Sequence, residues 1–151
     1  MADIKYLLSL TSAYLHEVDL APLLRAYEFV SERHADHVHE SGEPYVDHLL
    51  AVASTLASMR LDLDTIVAGL LHGALKENVA TREELERLFG GPVANIVDGA
   101  TRITNVRYNS QLASQAENIR KLLLAMGADI RVLLVRLADR RVAVGHPVRR
   151  A

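Results

Sequence analysis

The sequence predicts an all-α domain of about eight helices, and three observations carry that reading. Apolar residues recur at three- and four-residue spacings along most of the chain, the period of a helix with one buried face. Two capping boxes, Thr81-Arg82-Glu83-Glu84 and Ser114-Gln115-Ala116-Glu117, mark helix starts. No stretch alternates apolar and polar residues as a half-buried strand does. The 151 residues, half of them apolar and 24% charged, suit one domain over 1–151 with a real core.

Residues 4–14 read as a first helix with Ile4, Leu7, Leu8, Leu10 and Leu15 on one side. Asp19 offers the next N-cap and Pro22 fits the first turn of a helix expected to run to about Val38. It would bury Leu23, Leu24, Tyr27 and Val30. Residues 41–44, Ser-Gly-Glu-Pro, are a turn. A third helix, 45–59, places Val46, Leu49, Leu50, Val52, Ala53, Leu56 and Ala57 inside. Asp62 or Asp64 caps a fourth, which contains the apolar stretch 67–81 with His72 on its buried face. Thr81 opens a fifth, closed by Gly90 and Gly91, and Pro92 starts a sixth that reaches about Ile103. Residues 104–112 lack periodicity and read as a loop. Ser114 opens a seventh helix, closed by Gly127, and Asp129 caps an eighth with Ile130, Leu133, Leu134 and Leu137 inward.

Composition removes several classes of function. There is no cysteine, so disulfides and thiolate metal sites are excluded. No apolar run approaches the ~20 residues of a membrane span, and a cytoplasmic address is expected. With 17 basic and 19 acidic residues there is no global nucleic-acid footprint.

His48, His72 and Asp139 each stand among apolar neighbours on different predicted helices. Two imidazoles and a carboxylate are a ligand set for a divalent transition metal, whose bound water can become a nucleophile near neutral pH. The alternative is that each is satisfied separately, Asp139 by Arg136 or Arg140. Spacing alone does not choose between them.

The stretch SGEPYVDH (41–48) resembles the SGEPY-x-x-H signature of the RelA/SpoT family of alarmone synthetases and hydrolases. The similarity continues through LLH (70–72), LERLFGGPVANIVDGATRI (85–103) and QAENIRKLLLAMGADIRVLLVRLADR (115–140), covering about 20–141. It implies the N-terminal HD-type hydrolase domain of that family. That is a helical bundle holding one manganese ion, which active members use to remove the 3′-pyrophosphate of ppGpp. A synthetase domain, which comes next in bifunctional members, is not expected within this length. The resemblance makes His48, His72 and Asp139 metal ligands, and Thr101, Asn118 and Arg140 match nucleotide-pocket positions. His34 matches a family histidine too; the alternative is that, near the turn, it simply orients the SGEPY loop.

The departures fall on the chemistry. Where active members carry His-Asp, this chain has His72-Gly73, which deletes a ligand carboxylate. The acidic pair thought to position water is Lys76-Glu77, and only Glu77 keeps a carboxylate. Arg-Lys before SGEPY, which helps hold the nucleotide, is His39-Glu40. Ala143 stands where an asparagine lines the pocket. Cations favour a polyanionic ligand, so this exchange weakens ppGpp binding. The pattern reads as a catalytically disabled hydrolase domain with manganese absent or weakly bound, structural or regulatory beside an attached or partner synthetase. The alternative is a weakened but active manganese-dependent phosphohydrolase.

Overall fold

A computed structural model of the chain describes residues 3–39, 42–104 and 130–144. Among these residues there are seven helices and no strand. They are α1 (Ile4–Ser12), α2 (Ala21–Arg33), α3 (Tyr45–Ser58), α4 (Leu63–Leu71), α5 (Arg82–Phe89), α6 (Gly91–Thr104) and α7 (Arg131–Val144). The helix expected over 114–127, and the loop before it beyond Thr104, lie outside the described residues.

Local chemistry sets most of the boundaries. The Asp3 carboxylate accepts from the Tyr6 amide at 2.8 Å and caps α1. The Thr81 hydroxyl accepts from the Glu84 amide at 3.1 Å and caps α5, as its box predicts. Gly90, at φ 97°, takes the left-handed conformation that ends α5. Asp62 rather than Asp64 precedes α4, and its carboxylate holds Thr65 Oγ1 at 2.6 Å and Arg131 Nη1 at 2.8 Å.

The core is centred on α3 and α4, with α1 and α7 against α3 and α2 and α6 against α4. Leu49, Val52, Ala53 and Leu56 face Ile66, Leu70 and Leu71 in one continuous apolar cluster. Gly69 lets the two helices approach closely, since a β-carbon there would meet Leu56 Cδ1 at 2.6 Å. That contact sets the second half of α3 against the end of α4.

Expectations for three of the helices need correction. α2 ends at Arg33, not near Val38. His34 closes it, and the chain then turns so that residues 37–39 pair with 43–45. Leu24, expected inside, is exposed. The stretch 67–81 is helical only to Leu71. His72 is the C-cap, and successive turns carry the chain over 73–78. Arg33 anchors the approach to α5, donating to the Val79 carbonyl at 2.6 Å and pairing with Glu84 at 2.8 Å.

The third correction concerns α7. Its buried residues are Val132, Val135 and Ala138, whereas Ile130 and Leu137 are 63% and 54% exposed. The helix is rotated from the expected leucine face. This orientation brings Asp139 towards α3 and α4.

Candidate metal centre

His48 sits in the first turn of α3, His72 caps α4, and Asp139 lies midway along α7. His48 and His72 are almost wholly buried. Asp139 Oδ1 stands 2.7 Å from His48 Nε2 and 3.0 Å from His72 Nε2. The second carboxylate oxygen accepts from Arg136 Nη1 at 2.7 Å. Of the two arginines considered from sequence, Arg136 is thus the one that holds Asp139.

His72 Nδ1 lies 2.7 Å from the Gly69 carbonyl, which can only accept. Nδ1 therefore carries hydrogen, and Nε2 is the nitrogen turned to Asp139. Such an Nε2 meets a carboxylate oxygen favourably through a second proton or through a shared cation. Burial alone would raise the Asp139 pKa, but the hydrogen bonds to His48 and His72 and the charges of His72 and Arg136 outweigh it. The carboxyl is held well below the usual carboxylate range. One donor atom from each of His48, His72 and Asp139 falls within 4.8 Å of the others, and this convergence fits a divalent cation. Gly73, which follows His72 and lines the same cleft, offers no side-chain donor.

These residues form the floor of a cleft of about 420 Å³. His39, Thr101 and Arg140, predicted for the nucleotide, line it together with Gly73, Lys76 and Glu77. Lys76 and Glu77 are exposed. The Thr101 hydroxyl donates back to the Val97 carbonyl at 2.8 Å. Asn118, Glu40 and the side chain of Ala143 lie outside the described residues.

Histidines and a tyrosine wall one side. The His39 ring stacks on His48 with centroids 3.9 Å apart, and the His34 ring meets Tyr45 edge-on at 4.7 Å. His34 Nδ1 is 2.8 Å from His37 Nδ1, so the ring ties the end of α2 to the turn. Burial, then the charges of His37 and His72, lower the His34 pKa to about 4. His39 and Glu43 also converge with His48 in a second cluster able to hold a metal ion.

Sequence reasoning did not place Tyr45 in the site, although it lies one helical turn before His48, on the same face. Burial, reinforced by the charges of Glu77 and Asp139, pushes its phenol up to about 12, so the hydroxyl is neutral. A β-carbon at position 73 would overlap the Tyr45 hydroxyl oxygen and lie 3.1 Å from Cζ.

A helical bundle that brings two histidines and an aspartate from three helices into one cleft is the arrangement of an HD domain. The family model described as HD domain matches residues 26–144, and the chain belongs to that family. Its sequence is 41% identical over 131 residues to the bifunctional (p)ppGpp synthase/hydrolase SpoT of Escherichia coli, covering 87% of this chain and 19% of that protein. It is 43% identical over 127 residues to a guanosine-3′,5′-bis(diphosphate) 3′-pyrophosphohydrolase of Vibrio cholerae, covering 84% of this chain and 18% of that protein. Against a GTP pyrophosphokinase of Myxococcus xanthus it is 44% identical over 132 residues, covering 85% and 17%. The chain thus spans about a fifth of the length of these curated relatives. Among the described residues no helix is long and apolar enough to cross a membrane.

Proposed function

We propose that this chain is a catalytically disabled HD domain of the (p)ppGpp-hydrolase kind, with a structural or regulatory role in guanosine tetraphosphate metabolism. The observation that carries this reading is position 73. Glycine offers no ligand, and the Tyr45 phenol occupies the space into which a side chain would project. His48, His72 and Asp139 would hold manganese, which when bound supplies an activated water; here the cation would lose a charged ligand. Removing that charge costs a Coulomb attraction that a part-buried site screens poorly. Lys76 adds an ammonium to the cleft, which repels a cation and cannot take a proton in its charged form. Beyond this domain, an attached or partner synthetase is the natural setting, because one relative is named as bifunctional.

The second reading is a weakened metal-dependent (p)ppGpp or nucleotide phosphohydrolase. The convergence of His48, His72 and Asp139 favours it, since three protein ligands and one open position suffice in other metalloenzymes. Stepwise reversion separates the two. Under the first reading, Gly73→Asp raises manganese affinity without turnover, and turnover appears only when Lys76→Glu and Glu77→Asp are added. Turnover by the unaltered protein would instead establish the second.

A further inference from the structure

We propose that residues 73–79 form a hinged wall of the cleft, and that Arg33, reaching across from the end of α2, is the latch that keeps it shut. The inference goes beyond the hydrolase reading and does not depend on whether the cleft holds a metal or turns anything over.

The wall is built to move apart from the helices beside it. α4 stops at Leu71 and α5 starts at Arg82, so no helical ladder spans the residues between. The backbone bonds of the segment stay local: Glu77 donates to Gly73 at 2.9 Å, Asn78 to Leu75 at 3.2 Å and Val79 to Ala74 at 3.0 Å. Its near end is anchored, because Gly73 and Ala74 are buried. Its far end is not, because Lys76, Glu77 and Asn78 are exposed and Val79 is half-buried. Asn78 stands at φ 58°, a left-handed conformation that asparagine tolerates but that its surroundings must hold. Gly73, Lys76 and Glu77 line the cleft beside His72. A swing about Gly73 and Ala74 therefore opens that side of the cleft and carries the charges of Lys76 and Glu77 away with it.

Arg33 closes the far end with one guanidinium. Nη1 donates to the Val79 carbonyl at 2.6 Å and to Glu84 Oε1 at 3.2 Å, and Nη2 donates to Glu84 Oε2 at 2.8 Å. Glu84 is itself held, since its amide donates to Thr81 Oγ1 at 3.1 Å. The guanidinium also lies 4.5 Å from the centre of the Phe29 ring, which meets Phe89 edge-on at 5.6 Å. A single exposed ion pair contributes little. A forked carboxylate pair that also holds a carbonyl and lies over an aromatic face contributes more, and the planar guanidinium makes all three contacts at once. α2, the wall and α5 thus meet at one side chain.

Hydrogen exchange of the full chain, read amide by amide by NMR, tests the latch in wild type, Arg33→Lys, Glu84→Gln and the double variant. In wild type the Glu77 and Val79 amides should exchange by local opening, with a shallow dependence on urea, while those of Val52 and Ala53 in α3 require global unfolding. Arg33→Lys keeps the charge and loses the fork. It should speed exchange at Glu77 and Val79 by about tenfold or more, with the urea dependence still shallow. Glu84→Gln should act in the same direction but less, because the carbonyl contact survives. The double variant should be no faster than Arg33→Lys, since both changes break the same latch. Modification of His72 by diethyl pyrocarbonate, located by mass spectrometry, should accelerate in step and tie the opening to the cleft. Wall amides that open only with the whole fold, Arg33→Lys exchanging like wild type, additive effects, or His72 reactivity that does not follow would each overturn the proposal. None of these outcomes bears on the disabled-hydrolase reading, which pyrophosphate release decides.

Discussion

His48 on α3 and Asp139 on α7 are 91 residues apart in the chain and 2.7 Å apart at their side chains. The contact joins the third helix to the last, and His72 closes the triangle from the end of α4. Arg136 then occupies the carboxylate oxygen that faces away from the histidines.

Asp139→Asn should accordingly destabilise the protein by about 2–4 kcal/mol, because it leaves Arg136 and two buried rings without their anion. The folded-state pKa of Asp139 lies below its unfolded value, so its contribution is present above the ordinary carboxylate pKa and is lost as pH falls towards the folded one. Urea midpoints should therefore separate wild type from variant at pH 7 and converge below about pH 4. Equal midpoints at pH 7 would show that the triangle is not holding the helices together.

His34 supplies a second pH dependence. Its folded-state pKa of about 4 lies below the ordinary 6.5, so the unfolded chain takes up the proton first as pH falls. Stability should be complete above about pH 6.5 and decline towards pH 4, by up to about 3 kcal/mol. The slope of unfolding free energy between pH 7 and 4.5 measures it. His34→Gln should flatten that slope, and an unchanged slope would remove His34 as its source.

Gly69→Ala sets two effects against each other. Alanine is about 1 kcal/mol better than glycine in a helix, but its β-carbon would meet Leu56 Cδ1 at 2.6 Å in a wholly buried contact. Overpacking costs about 1–3 kcal/mol, so the thermal midpoint should fall. Combining the change with Leu56→Val should recover part of the loss. A rise in midpoint for the single variant would mean that α3 and α4 part more easily than the packing implies.

The fold is legible in the sequence where local chemistry decides. Thr81 and Gly90 bracket α5 through a hydroxyl cap and a left-handed turn, and both signals are written in adjacent residues. The face of α7 is not legible in this way. Residues 132–138 carry apolar side chains on both sides, and only docking on α3 and α6 selects Val132, Val135 and Ala138 over Ile130 and Leu137. The end of α2 is hidden for a similar reason, since residues 34–38 contain no glycine or proline and the turn depends on His34 meeting His37 and Tyr45. In the site, His48, His72 and Asp139 stand out as polar residues among apolar ones. Tyr45 gives no such signal, because an aromatic at the start of an amphipathic helix reads equally well as core.

Loss of hydrolysis in the cleft is the property on which the functional reading turns, and pyrophosphate release measures it. Wild type and His72→Ala would be incubated with ppGpp and manganese, and pyrophosphate followed over time. General-base assistance is worth about 10²–10⁴ in rate, and the proposed reading also weakens metal and nucleotide binding, so on that reading the two proteins should be indistinguishable from each other and from buffer. Release by wild type that His72→Ala abolishes would contradict this reading and identify His48, His72 and Asp139 as a working three-ligand centre.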